Sequence, residues 1–291
     1  MTNSHILSQE FDYAEPRTVE EALSLLDGSE EKTRVVAGGT DLLVQMKMGK
    51  IVLGHLVSLA RIPGLRYLIV DRGLRIGALT SFRQIEKEAV IREKYTALYE
   101  AARSVTSVQI KHMGTLGGNL CNASPAADSA PALLVLAAEV KLATRKGERQ
   151  VPVDQFFAGP GETILTTNEL LIEVEVPEVL PGTGSAFLKM GRISADLAKV
   201  SVAAMIVREG EVLKGCRIAM GSVAKTPLRM LETERVLIGK EWNDDLIDRA
   251  GDHASQEIEP ITDIRSTAGY RRELTKVLVR DALKIAWKRA G

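Results

Sequence analysis

Two glycine pairs in polar loops are the residues of this sequence best suited to hold a ligand. Gly117 and Gly118 fall within residues 113–131, MGTLGGNLCNASPAADSAP, a stretch too small-sided to fill a core. Gly38 and Gly39 fall within residues 35–43, VVAGGTDLL, where a short apolar run breaks into Gly-Gly and a polar pair. Glycine removes the side chain that keeps a backbone N–H from an anion, and successive N–H groups form anion-binding concavities. Two such turns suit a ligand with two phosphates, and a dinucleotide is the simplest. Thr40 and Thr115 add hydroxyl donors, while Asn119 and Asp128 add polar groups that could fix orientation. Pro131 sits where a first helical turn accepts proline, so the long loop is expected to aim a helix N-terminus at the ligand. There is no GxGxxG at the first turn and no GxxxxGK[ST], which weakens a Rossmann or P-loop reading.

Other reactive side chains stand apart. Lys189 lies in the strand-like SAFLKMGR, where a solvated strand face is the plainer reading. The histidines are His5, His55, His112 and His253, and no two share metal-ligand spacing. Cys121 and Cys216 are the only cysteines, too few for a four-thiolate iron–sulfur or zinc site in this chain. No Ser–His–Asp order or Cys–His pair marks a nucleophile. Met46 and Met48 read as packing.

Composition excludes several classes. Lys plus Arg equals Asp plus Glu at 38 each, and aromatics are 4 %. Neither a basic nucleic-acid footprint nor a base-stacking platform is present. No apolar run reaches the ~18 residues of a membrane span, and the first residues lack a signal-peptide pattern. A cytoplasmic location is expected. At 291 residues with 45 % apolar, the chain is comfortable for two domains.

The elements that must position the loops can be read in order. Residues 10–17 look irregular. Thr18 and Glu21 have capping-box spacing before a stripe of Val19, Ala22, Leu23 and Leu26, with Gly28 as the stop. Strands are expected at 33–37, 57–59, 74–78, 140–144 and 151–153. Thr80-Ser81 should cap a helix running to about Val90, and 95–105 should form another. Residues 170–176, LLIEVEV, alternate as a half-exposed strand. A Pro- and Gly-bearing loop at 177–184 marks the boundary between domains 1–178 and 179–291. Beyond it, 200–207 and 212–220 form a hairpin turning at Glu209-Gly210. Thr226-Pro227 should start a helix carrying Leu228, Leu231 and Leu237, and helices follow at 245–255 and from Tyr270 to the C-terminus. No internal repeat appears.

AGGTDLL followed by TLGGNLCNASPAADSAP resembles the medium, FAD-binding subunit of molybdenum hydroxylases, the xanthine dehydrogenase and aerobic carbon monoxide dehydrogenase family. The resemblance covers nearly the whole chain. It implies an α+β protein: an FAD-binding domain of the p-cresol methylhydroxylase (PCMH) type with two α/β subdomains, then a small α+β domain like the CO dehydrogenase flavoprotein C-terminal domain. It implies FAD held non-covalently by Val35, Val36, Ala37, Gly38, Gly39, Thr40, Asp41 and Leu42 and by Thr115, Leu116, Gly117, Gly118 and Asn119. Asp128 would bond a cofactor hydroxyl, Leu171 would touch FAD, and Lys189 would lie beside the flavin ring. Arg192, Asp196 and Lys199 match a charged neighbourhood near the electron acceptor. The molybdenum cofactor and [2Fe–2S] clusters would sit only in partners, a large molybdopterin-binding subunit and a small [2Fe–2S] subunit. NAD or another carrier would accept the electrons. Two further functions stay open from the residues alone: a self-contained flavin oxidase of the PCMH type, and a non-catalytic nucleotide-binding module.

Overall fold

The computed structural model describes residues 7, 9–27, 32–105, 107–193 and 196–291. Gly28, expected to end the first helix, and His5 lie outside the described residues.

A small parallel sheet comes first. Strand Asp12–Ala14, in a stretch expected to be irregular, pairs with His55–Ser58, which pairs on its other side with Thr33–Val36. Helix Val19–Leu26 buries Ala22, Leu23 and Leu26, the stripe its spacing predicts. Its cap departs from a full box. Thr18 Oγ1 accepts from the Glu21 N–H at 3.1 Å, but the Glu21 carboxylate accepts from Arg17, one residue before the cap. A complete box forms instead at Ser81 and Gln84, opening helix Phe82–Lys87. One helix to about Val90 was expected. The extended backbone of Glu88 divides it, and Ala89–Lys94 is separate, so that Ile85 and Ile91 both reach the same core.

A five-stranded antiparallel sheet follows, in the order Leu68–Asp71, Gly73–Gly77, Leu170–Pro177, Glu139–Thr144, Gly147–Pro152. Its middle strand is not half-exposed, as the alternation suggested. Glu173 is only 1 % exposed, because neighbours on both sides reach over it: Lys141 Nζ at 2.5 Å, Tyr67 Oη at 2.5 Å and Arg75 Nη2 at 2.9 Å. Burial alone would raise the Glu173 pKa, yet these partners hold it below the ordinary carboxylate value. Helices Thr96–Ser104 and Ser129–Val135 share the core of this sheet.

The C-terminal sheet runs Thr183–Met190, Val200–Glu209, Val212–Gly221, Leu228–Arg229, all antiparallel, with Gly210 at φ +58° in the hairpin turn. Side chains alternate between its faces. Val202, Ala204 and Ile206 pack under helices Asp244–Glu257 and Ala268–Arg289. Phe187, Ala203 and Ala219 face the other way, into the core beneath Thr96–Ser104 and Ser129–Val135. The sheet is thus clamped between helices of both halves. A helix from Leu228 was expected, but Leu228–Arg229 is an edge strand and the helix is Leu231–Leu237. The Arg229 guanidinium holds both carboxylate oxygens of Glu234, at 2.8 and 2.5 Å, and Glu234 also accepts from the Ile218 N–H at 2.8 Å. That clasp draws the segment onto the sheet.

Replacing Glu173 with Gln leaves Lys141 and Arg75 without their shared charge. The expected loss is about 1–3 kcal/mol, read as a lower urea midpoint at unchanged slope. An unchanged midpoint would show that the cluster contributes nothing to stability.

Candidate functional site

The two glycine loops meet. A Cβ on Gly38 would overlap the Met113 carbonyl, so only glycine lets the first loop close on the approach to the second. Gly39 has φ +71°, and its missing side chain leaves room for Leu43. In the second loop a Cβ on Gly117 would lie 2.8 Å from the Ala78 carbonyl oxygen, and one on Gly118 2.7 Å from Thr115 Oγ1. Both glycines thus make room for neighbouring protein atoms.

The second loop is also less of a loop than its composition suggested. Leu116–Cys121 is a helix capped by Thr115, whose Oγ1 accepts from the Gly118 N–H at 3.1 Å. Its other early donors are engaged too: Leu116 N–H with Thr80, Gly117 N–H with Ala78 and Asn119 N–H with the Thr115 carbonyl, each at 3.0 Å. The helix Ser129–Val135, with Pro131 in its first turn, is buried in the core. The first loop is the opposite case. Among the described residues, the N–H groups of Ala37, Gly38, Gly39, Thr40 and Asp41 donate no hydrogen bond within the chain. A left-handed residue inside such a run is the backbone shape that gathers donors around an anion.

Both loops line one cavity of about 430 Å³. It brings together Val35, Val36, Ala37, Gly38, Gly39, Thr40, Asp41, Leu42, Thr115, Gly117, Gly118, Asn119 and Leu171. Desolvation raises the Asp41 pKa, opposed by a hydrogen bond from Thr40. Cys121 also lines the cavity, whereas Cys216 is buried in the C-terminal core. Gln45 and Asn122, which contact each other at 3.5 Å, extend the polar wall.

Sequence reasoning missed the third wall, Thr166, Thr167 and Glu169. Glu169 takes both prongs of Arg149, at 2.7 and 2.9 Å, and accepts from the Thr166 N–H at 3.0 Å. The Arg149 hydrogen bonds are the main reason its pKa falls to about 2. Thr166 and Glu169 have the Thr-x-x-Glu spacing of a turn-closing pair, a signal that was available in TTNEL.

Three expected site residues do not line the cavity. Leu116 is fully buried in the core. Asp128 and Lys189 lie together at the junction of the two halves, paired at 2.7 Å with side chains 9 % and 8 % exposed. Lys189 therefore is not on a solvated face; it also donates to the Ser104 carbonyl at 3.3 Å. Burial pushes the Asp128 carboxyl up to about 6 against the pull of Lys189, and Asp128 Oδ1 is buried with no partner. Asn119 joins the two places: it lines the cavity, and its Oδ1 accepts from Ser129, the neighbour of Asp128, at 2.6 Å. Of the charged trio near the expected acceptor side, Arg192 and Asp196 pair at 2.5 Å on the surface, and Lys199 lies over the Tyr270 ring. His112 is exposed. Met46 packs in the core as expected, but Met48 is exposed.

Gly38→Ala forces a methyl into the Met113 carbonyl and should part the loops, lowering the thermal midpoint of the protein by several degrees in a melting scan. A midpoint equal to wild type would mean that the loops do not need this contact. Glu169 offers a pH test. Its folded pKa lies below the unfolded value, so its contribution is present above about pH 4.5 and lost as pH falls towards about 2. Acid unfolding of Glu169→Gln should accordingly show a flatter limb between those pH values; an identical limb would refute the pairing as a stabilising one.

Residues 9–179 match the family described as the FAD binding domain in molybdopterin dehydrogenase, and residues 185–286 match the CO dehydrogenase flavoprotein C-terminal domain. The chain is 35 % identical to the glyceraldehyde dehydrogenase medium chain of Sulfolobus acidocaldarius over 94 % of its length and 98 % of that chain. It is 32 % identical to the carbon monoxide dehydrogenase medium chain of Hydrogenophaga pseudoflava, over 97 % and 98 %. The solved carbon monoxide dehydrogenase of H. pseudoflava superposes with a TM-score of 0.95 at 32 % identity, covering 98 % of this chain and all of that one. Quinoline 2-oxidoreductase from Pseudomonas putida 86 gives 0.90 at 26 %, over 97 % and 99 %. Two matched domains, aligned end to end with medium chains and built around a cavity between two glycine loops, make this chain an FAD-binding medium subunit of the molybdenum hydroxylase family, of the carbon monoxide and xanthine dehydrogenase type.

Proposed function

We propose that the chain holds FAD non-covalently between its glycine loops and serves as the electron relay of a three-part oxidoreductase. Electrons would come from [2Fe–2S] clusters in a small partner subunit, fed by a large molybdopterin-binding subunit. They would leave to an external acceptor such as NAD+ or another carrier, in the cytoplasm. Bound flavin would supply the exchange between one- and two-electron transfer.

The observation that carries the reading is the run of unengaged N–H groups from Ala37 to Asp41, set across one cavity from Thr115 and Asn119. That donor set fits a diphosphate. The Thr115 hydroxyl already accepts from Gly118, so its proton is available to donate. Glu169 lies on the same cavity with its charge answered by Arg149, so it does not oppose an anion as a lone carboxylate would. Leu171 and Leu42 offer apolar wall. At the junction, Asp128 Oδ1 is an acceptor suited to a ribityl or ribose hydroxyl. Lys189 beside it would favour negative charge on a reduced ring. The multi-chain setting is supported by relatives whose names specify a medium chain or an FAD-binding subunit. The two cysteines of this chain, one on the cavity and one in the C-terminal core, cannot together make a cluster site. Among the described residues no helix is long and apolar enough to cross a membrane.

The purified chain is expected to be yellow with one FAD per chain, released intact by acid precipitation. Gly39→Val should weaken FAD at least tenfold, because the left-handed φ costs a β-branched residue about 1–2 kcal/mol and distorts the donor run. A chain that takes up no flavin on reconstitution, or a variant that keeps it stoichiometrically, would defeat the cavity assignment. Copurification with an iron–sulfur chain and a molybdopterin chain would test the relay.

A further inference from the structure

The two loops offer different kinds of donor. The first presents free backbone N–H groups; in the second the N–H groups from Leu116 to Asn119 are all engaged within the protein. What the second loop can still donate is carried by side chains, among them the Thr115 hydroxyl and the Asn119 amide. The geometry of that amide is set from behind. Ser129 is fully buried at the first position of its helix, and its Oγ donates to Asn119 Oδ1 at 2.6 Å. An amide held by its oxygen has its NH2 edge left, and among the described residues this NH2 finds no partner in the chain.

We propose that Ser129 is a positioning residue for the cofactor: by fixing Asn119 Oδ1, it holds the Asn119 NH2 as a cavity donor of the second loop. The ligand group it serves is an anionic or acceptor oxygen of the dinucleotide. This rests on the FAD reading above and adds a residue to it. A freely rotating amide could present either its oxygen or its NH2 to such a group, and the oxygen would be repelled. Ser129 removes the wrong orientation and the rotamer entropy that goes with it. The same residue follows Asp128, whose carboxylate holds Lys189 at 2.7 Å, so one short segment orders both the cavity wall and the junction pair.

The test is a double-mutant cycle on the full chain, with the FAD dissociation constant read by fluorescence quenching on reconstituted apo-protein. Ser129→Ala should raise the dissociation constant about tenfold, roughly 1.4 kcal/mol. Asn119→Ala should raise it at least as much. The double variant should bind no worse than Asn119→Ala alone, because Ser129 acts through that amide. Asn119→Asp keeps an acceptor for Ser129 but replaces the NH2 with a second oxygen, and should bind FAD at least as poorly as Asn119→Ala while melting like wild type without ligand. Undiminished binding by Ser129→Ala, or a full further loss when it is added to Asn119→Ala, would overturn the positioning role and leave the FAD reading intact. Wild-type protein that takes no FAD would overturn both.

Discussion

The approach of one backbone to another, Gly38 against the Met113 carbonyl, is the constraint on which the site depends. Any side chain at position 38 would hold the first loop off the second, and the cavity they share would open. The contact also explains why the glycine pairs are not equivalent. Gly38 and Gly117 admit backbone atoms of the protein, whereas Gly39 supplies a left-handed turn. The loops therefore divide the work. The second is a wall, stitched through Gly114, Leu116 and Gly117 to Phe82, Thr80 and Ala78 and stiffened by the Thr115 cap; the first, less engaged, offers the donors. A rigid wall facing a preorganised donor run lowers the ordering cost of binding, because less must be fixed when the ligand arrives.

The junction between the two halves follows another rule. It is polar where one would expect only apolar packing. Asp128 and Lys189 are paired nearly out of water, and a second set lies farther along the same strand: Ser185 receives Thr96 Oγ1 at 2.6 Å and Arg289 at 2.7 Å on its carbonyl, while Glu100 receives the Phe187 N–H at 2.8 Å and Arg289 at 2.6 Å. Buried charges cost desolvation, and removing one partner costs more than exchanging both. Such bonds are directional, so they fix the register of strand Thr183–Met190 against helix Thr96–Ser104 more narrowly than Phe187, Ala203 and Ala219 could by packing alone.

Much of this was legible because period and turn chemistry act locally. The stripe of helix Val19–Leu26, the helix at 96–104, the hairpin at Gly210 and the closeness of the two glycine loops all follow from short-range signals or from the family resemblance those loops carry. What was misread depends on neighbours distant in sequence. Glu173 looked like a solvent-facing position because alternation cannot show that Tyr67 and Lys141 will cover it. Leu228 looked helical behind Thr226-Pro227 because the clasp of Arg229 on Glu234, and of Glu234 on Ile218, exists only once the sheet has formed. Nor does the sequence show that a side chain at Gly117 would run into Ala78. Lys189 favoured a solvated face for the same reason: its partner Asp128 is 61 residues away.

The segment from Asn119 to Ser129 shows how cavity and junction are tied together. Its first residue lines the cavity, its last holds that residue's amide, and the one before holds Lys189 of the C-terminal sheet. If strand Thr183–Met190 shifts, Lys189 pulls on Asp128, and the helix that begins at Ser129 feels the pull at its first turn. The Asp128 carboxyl gives this tie a chemical character as well. Burial pushes it up to about 6 while Lys189 opposes the rise, so its charge near neutral pH is maintained chiefly by a lysine from the other half of the molecule. Separating the halves would take away that cation and let water in, two opposite influences on the same carboxyl. Its protonation is therefore a property of the assembled chain and cannot be assigned to either domain alone.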